Sequence, residues 1–244
     1  MRALVQGLLA RPSSLHKGQC GRLAVLTGSP SMMGAARLVL MAACRSGVGL
    51  VYAYSFGDLN PLCRDIPEVI SSPMSADQLM DQSTVLFQQW QDRQVGVFVC
   101  GPGCGQPPGF SLFLTQALQY CDSQQLVAVL DADALRAVTV EVLSAVTQQS
   151  LVLTPHVGEF KALFPQWGDS DFDDLDQRRR VAMQAAEACR QIVVLKGHHT
   201  IVASSNHVYV NQTGNACMAS AGMGDVLTGI VASFLGQGLS TFEA

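Results

Sequence analysis

The sequence predicts an α/β domain built on a central, mostly parallel sheet. Two observations carry this. Short apolar, β-branched runs alternate with helix-period segments, the pattern of βαβ units. The residues able to do chemistry recur in the loops just after those runs, where parallel sheets gather ligands. At 244 residues, with no Pro/Ser-rich linker, internal repeat, low-complexity segment or abrupt change in composition, the chain reads as one domain.

Expected strands are RLAVLTG (22–28), GLVYAYS (49–55), VGVFVC (95–100), LVAVLDAD (126–133), SLVLTP (150–155) and IVVLKG (192–197). Between them lie helical patterns in GAARLVLMAACRSG, in residues 77–92, in FSLFLTQALQY, in ALRAVTVEVLSAV and in LDQRRRVAMQAAEACRQ. TIVASSN and HVYVNQT alternate as a hairpin with Ser205-Asn206 at the turn, and a last helix begins near Asp225. The acidic stretch DSDFDDLD (169–176) reads as a solvated loop entering a helix N-terminus, and Arg178, Arg179 and Arg180 as its exposed continuation.

A hydrophobic fraction of 48% against 14% charged residues describes a compact globular protein. Low charge also suits a surface partly covered by further copies of the chain. A net charge of -4 provides no basic field for nucleic acid or an anionic membrane, so any phosphate must be gripped locally. Charges or glycines interrupt every apolar run before it could cross a bilayer. The N-terminal MRALVQGLLARPSS has the outline of a signal peptide, but Gln6 and Gly7 break its apolar stretch and no A-x-A site follows. Eight scattered cysteines lack the spacing of a disulfide framework and fit a reducing cytoplasm. Cys100 and Cys104 in CGPGC have no second pair or suitably spaced His to complete a zinc site, and read as buried thiols.

Five loops should converge on one sheet edge: TGSPSMMGAA, CGPGCG, DADAL, TPHVGE and KGHHT. GPGCG is not a dinucleotide fingerprint, but its glycines allow close backbone approach to a ligand. His156 and Glu159, three apart at a helix start, can share one face, the carboxylate positioning a hydrated magnesium and the imidazole reaching a ligand. The plainer alternative is a helix start with a dipole-friendly acid. Lys196, one of three lysines, ends an apolar strand beside Gly197 and suits a phosphate or adenosine contact. His198 and His199, as neighbours in an extended chain, would point to opposite faces and not share an ion. Gly222, Met223 and Gly224 precede the apolar VLTGIVASFL, so their N–H groups form an anion hole at a helix N-terminus. A carboxylate there repels phosphate unless it has another task. For Asp225 that task is to accept the proton of an attacking hydroxyl; the alternative is a cap.

In this order, GSPSMMGAA...RSGVGLV, GPG, DADAL, LTPHVGE, VVLKG and GNACMASAGMGDVLTGIVASFLGQGL resemble the ADP- or ATP-dependent NAD(P)H-hydrate dehydratase family, from about His16 to the last residue. The resemblance implies a ribokinase-like three-layer α/β/α fold and a metabolite-repair activity. In that activity the S epimer of hydrated NADH or NADPH (NADHX, NADPHX) is phosphorylated on its ring hydroxyl by ADP or ATP with Mg2+, and phosphate then leaves. It implies Asp225 as the base and residues 222–224 as the anion hole. Ala35, Gly103 and His156, with Asp225, fall where the family meets the hydrate. Lys196, Gly197, His198, His199, Thr200 and Gly224 fall where it holds the nucleotide. Glu159 falls at the position of the superfamily's magnesium-associated glutamate, acting through water, and Asp131 and Asp133 are left as loop-shaping residues.

The chain departs from the family pattern in Met223 for Ser or Thr, in KGHHT for KGAGT, and in SMM before Gly34. Family domains continue for some tens of residues past the FEA that ends this chain, so a C-terminally truncated domain is expected. The epimerase domain of many relatives does not occur in this sequence; it is either a separate protein or lies outside these residues, so dehydratase activity alone is expected, with a separate epimerase as the functional partner. The family also implies a homo-oligomer, with a tetramer favoured. Three rivals remain at this level: a ribokinase-like kinase of a vitamin-precursor or sugar hydroxyl, a catalytically silent nucleotide-binding subunit, and a Rossmann oxidoreductase, against which the absent fingerprint counts.

Overall fold

The computed structural model describes Gly7 and residues 10–77 and 79–244; most of the signal-like stretch lies outside the described residues. The strands are β1 (Arg22–Leu26), β2 (Leu50–Ser55), β3 (Ile70–Pro73), β4 (Val97–Cys100), β5 (Val127–Leu130), β6 (Leu151–Leu153), β7 (Ile192–Leu195), β8 (Ile201–Ala203) and β9 (Val208–Val210). They form one sheet in the order β3-β2-β1-β4-β5-β6-β7-β8-β9. Pairing is parallel from β3 through to β7. The final hairpin adds β8 and β9 antiparallel, in register Leu195↔Ile201 and Ile201↔Val210. All six expected strands and the hairpin form, and Ser204 N donates to the His207 carbonyl at 2.8 Å to close the turn over 205–206.

The helices are α1 (Met33–Arg45), α2 (Asn60–Asp65), α3 (Leu79–Asp92), α4 (Phe110–Ser123), α5 (Asp133–Ala137), α6 (Val140–Ala145), α7 (Val157–Leu163), α8 (Leu175–Cys189) and α9 (Met223–Gly236). Because side chains alternate across a strand, Leu23 and Val25 of β1 pack with α1, α2 and α9, while Ala24 and Leu26 pack with α3 to α8. Covering both faces gives three layers and explains why the central strands read as unbroken apolar runs.

Three local expectations change. The pattern over 134–146 splits into α5 and α6, because Val138 is extended (φ -110°, ψ 160°) and Thr139 caps the second helix, its Oγ1 accepting from Val142 N. α2 and β3 carry too few apolar residues to show a period. β3 is an exposed edge strand, where Pro73 is tolerated. Arg179 and Arg180 are exposed as expected, but Arg178 is not. It lies on the helical face of α8 shared with Val181, Ala182 and Ala185 and is buried. The acidic stretch is exposed and ends in Asp174, whose carboxylate caps α8 by accepting from Gln177 N at 2.7 Å.

α1 and α9 pack against each other on one face. A side chain at Gly229 would strike the Val39 carbonyl and the Ala42 methyl, so glycine permits this approach. The strand order reverses between β1 and β4, and the crevice past the carboxyl ends of such strands is where open α/β sheets bind ligands.

Candidate active site

The five loops do converge on that edge. Gly28 N and Thr27 Oγ1 both donate to the Pro102 carbonyl, at 2.9 and 2.7 Å, joining the loops after β1 and β4. Gly103, at φ +65°, lies so close to α1 that a Cβ there would sit 2.9 Å from Met32 Cβ and 3.0 Å from Ala35 Cβ. Two of the residues assigned to the hydrate, Ala35 and Gly103, are therefore neighbours at the switch point. Asp133 Oδ2 accepts from Gly105 N at 2.8 Å and shapes the glycine loop, as expected of it. Cys100 and Cys104 are buried thiols, and Cys104 Sγ donates to the Leu26 carbonyl at 3.3 Å. Burial pushes the Cys100 thiol well above its usual range.

Asp131 has a larger place than loop-shaping. It is buried, its Oδ1 lies 2.7 Å from Lys196 Nζ, and its Oδ2 accepts from Thr228 Oγ1 of α9 at 2.7 Å. Glu159 Oε2 lies 3.6 Å from the same ammonium. A Cβ on Gly224 would lie 3.3 Å from Lys196 Nζ and 3.9 Å from Asp131 Oδ2, so the start of α9 sits directly on this cluster. The signal for Asp131 was available in the sequence: an acid ending an apolar strand has no solvated role and must be paired.

His156 and Glu159 do share a face, and the plainer reading of them, a helix start, is the one the structure displays. His156 caps α7, its Nδ1 accepting from Glu159 N at 3.2 Å, while Glu159 Oε2 accepts from His156 N at 2.8 Å, a capping box with His in place of Ser. The His156 ring remains half-exposed at the cleft, with Nε2 3.4 Å from Glu159 Oε1.

The Lys196–Thr200 loop is held on several sides. Lys196 N donates to the Pro155 carbonyl at 2.8 Å, Thr200 Oγ1 to the Gly197 carbonyl at 2.9 Å, and Asn211 N to the Thr200 carbonyl at 2.8 Å. The two imidazoles do not point apart. His199 adopts φ +55°, which turns the chain and brings the ring centroids within 3.9 Å. The extended geometry that would separate them is absent. No cluster of three metal-binding side chains occurs among the described residues.

At α9, Gly222 is the cap residue at φ +86°, a conformation that favours glycine, and any side chain there would strike Leu38 of α1. The N–H groups of Gly222, Gly224 and Asp225 have no acceptor among the described residues. That of Met223 is turned toward the Ser220 carbonyl at 3.4 Å. Of the three N–H groups expected to form an anion hole, those of Gly222 and Gly224 are unpaired and that of Met223 is not, while the Asp225 N–H is unpaired as well.

The Asp225 carboxylate is half-buried and makes no hydrogen bond or ion pair among the described residues, so it is not a side-chain cap. Burial first, then the charges of Asp131 and Glu159, push its pKa from 3.8 up to about 6, against the opposing pull of Lys196. A carboxylate near neutral pKa, free of partners and beside unpaired N–H groups, is suited to take a proton while its neighbours hold an anion.

Fold and site together define a ribokinase-like three-layer α/β protein with five chemistry-bearing loops on one sheet edge. The Bacillus subtilis ADP/ATP-dependent NAD(P)H-hydrate dehydratase, co-crystallized with ATP/Mg2+, superposes with a TM-score of 0.71 at 26% identity, over 91% of this chain and 75% of that one. Residues 23–244 match the family model described as NAD(P)H-hydrate dehydratase, and the chain belongs to that family. It is 36% identical over 241 residues to the ADP-dependent (S)-NAD(P)H-hydrate dehydratase of Neisseria meningitidis, covering 96% of this chain and 76% of the relative. It is 34% identical over 240 residues to the bifunctional NAD(P)H-hydrate repair enzyme Nnr of Moorella thermoacetica, where it spans 94% of its own length but 43% of the relative's.

Proposed function

We propose that this protein dehydrates the S epimer of hydrated NADH and NADPH at the expense of a nucleotide. Asp225 takes the proton of the ring hydroxyl as its oxygen attacks the terminal phosphorus of ADP or ATP. The P–O bond to the leaving nucleotide breaks, and the transferring group's charge falls on the N–H groups of Gly222, Gly224 and Asp225. The C–O bond of the new phosphate ester then breaks, the ring nitrogen's lone pair supplying the electrons and inorganic phosphate departing, and loss of a proton from the adjacent ring carbon to solvent restores the dihydropyridine. The observation that carries this reading is the partner-free Asp225, with its raised pKa, at the mouth of that helix start.

Lys196, Gly197, His198, His199, Thr200 and Gly224 form the nucleotide side, and Ala35, Gly103 and His156 the hydrate side. Magnesium is held in such sites by one or two carboxylates together with phosphate and water. Asp131 and Glu159 fit that donor set, and both oxygens of Glu159 already face His156 or Lys196, which favours a contact through water. When bound, the ion supplies charge neutralisation on the nucleotide phosphates.

The reading extends to a cytoplasmic homo-oligomer, a tetramer in the first instance, supported by the 14% charged fraction. It also extends to pairing with an epimerase, in keeping with relatives named bifunctional NAD(P)H-hydrate repair enzymes. No described helix is long and apolar enough to cross a membrane.

Incubation of hydrated NADH with magnesium and ADP or ATP in turn tests the proposal. Recovery of reduced-nicotinamide absorbance with release of phosphate is expected. A stable phosphorylated hydrate would make the protein a kinase instead, and no nucleotide-dependent change would leave it a binding subunit.

A further inference from the structure

α8 runs antiparallel to β7, so its first turns lie beneath the carboxyl end of that strand and the Lys196–Thr200 loop that follows. Arg178 stands there. Its side chain comes from the buried face of α8, the residue is 7% exposed, and NH1 donates to the His198 carbonyl at 2.6 Å. NH2 lies where a side chain on Gly197 would meet it, 2.9 Å from that residue's Cβ position. Gly197 at φ +149° and His199 at φ +55° are both held in backbone conformations that side-chain-bearing residues rarely adopt. The guanidinium therefore touches the loop at Gly197, one of these two residues, and at His198, which lies between them.

A purely structural role accounts poorly for this residue. Nε and NH2 are buried without a hydrogen-bond partner among the described residues. Among the described residues no carboxylate pairs with the guanidinium, and Asp173 acts on it only through space. Buried charge of this kind is commonly neutral or costly to stability when compared with an apolar side chain of similar volume. Its one bond goes to the carbonyl of an exposed loop residue, not to the core.

We propose that Arg178 is a positioning residue for the nucleotide. Its guanidinium holds the His198 carbonyl and underlies Gly197, so that the Lys196–Thr200 loop keeps the shape that receives a nucleoside di- or triphosphate. The proposal rests on the assignment of that loop to the nucleotide. The side chain touches neither the hydrate side nor Asp225, so its loss should act on one substrate alone.

The test is Arg178→Met, read by calorimetric titration with ADP or ATP alone, by thermal unfolding, and by KM for each substrate against kcat. The expected result is a nucleotide Kd raised about tenfold or more, the order of one hydrogen bond to a charged group. The Tm should be unchanged or higher, with KM for the hydrate and kcat at saturating nucleotide held. Nucleotide affinity within about twofold of wild type (under 0.5 kcal/mol) overturns the proposal, as does a fall in Tm with both KM values moving together. Should Arg178→Met not fold, Arg178→Gln is read by the same criteria. A wild-type protein that binds neither nucleotide removes the underlying functional reading instead.

Discussion

Two segments face each other across the cleft and are built in opposite ways. The loop after β7 is tied down: Arg178, Thr200, Asn211 and Pro155 all bond its backbone, and Lys196 is locked between Asp131 and Glu159. The turn that opens α9 is left open. Its N–H groups at Gly222, Gly224 and Asp225 and its carboxylate have no partner among the described residues, and residues 212–221 before it are exposed. Under the proposed function the difference is a division of labour. A binding loop gains from being shaped in advance, because ordering it on binding would weaken affinity. A general base must keep its bonding capacity for the reactants, and Asp225, raised in pKa by burial and by the charges of Asp131 and Glu159, has that capacity unused among the described residues.

The largest effect should come from removing the partner-free acid of the open turn. Asp225→Asn should lower kcat by a factor of about 10²–10⁴, the range for a general base, with nucleotide affinity retained in titration. It should also raise the Tm at neutral pH. The folded-state pKa of about 6 lies above the ordinary 3.8, so the protonated form is the one favoured by folding. That contribution is fully present below the ordinary carboxylate pKa and is lost as pH rises through about 6. The Tm advantage of the variant should therefore shrink toward acid pH, and equal Tm values at all pH would contradict the raised pKa.

Asp131→Asn acts on the tied side. Removing one partner of a buried ion pair should cost about 3 kcal/mol in denaturant unfolding. It also removes a negative charge from beside Asp225 and frees Lys196, and both changes lower the pKa of the base. In the wild type, kcat should rise with pH through a midpoint near 6 as Asp225 ionises; in the variant that midpoint should fall. A midpoint that stays or climbs would separate Asp131 from the base.

Gly222→Val tests the open turn through its backbone. A branched residue at φ +86° against Leu38 should cost about 1–3 kcal/mol and reduce kcat more than nucleotide affinity. The smallest change is expected from Met223→Ser. Its N–H is already turned toward Ser220, so restoring the family's hydroxyl should shift kcat by less than about threefold, under 1 kcal/mol. A large gain would mean that a side-chain donor is missing from the anion hole.

Much of this was legible because it is local. A β-branched, apolar run such as Ile192–Leu195, a glycine pair before an apolar helix and Ser205-Asn206 between alternating segments each state a backbone preference that packing then obeys. Their order along the chain placed Lys196, His156 and Asp225 on one edge, since parallel strands all end at the same side. α2 and β3 were not legible, because six and four residues are too few to show a period. The relative orientation of His198 and His199 turned on one residue at φ +55°, which no side-chain pattern announces.

By itself, then, the sequence determined the strand–helix alternation, the edge on which the site lies and the identity of the acid at the glycine turn. Only the tertiary structure decided which charges are paired. Asp131, Lys196 and Thr228 stand far apart in the chain yet share one buried cluster, and of three consecutive arginines only Arg178 turns inward to the loop. Pairing and burial depend on which elements pack together, and through burial and neighbouring charge they give Asp225 a pKa that composition and spacing do not encode.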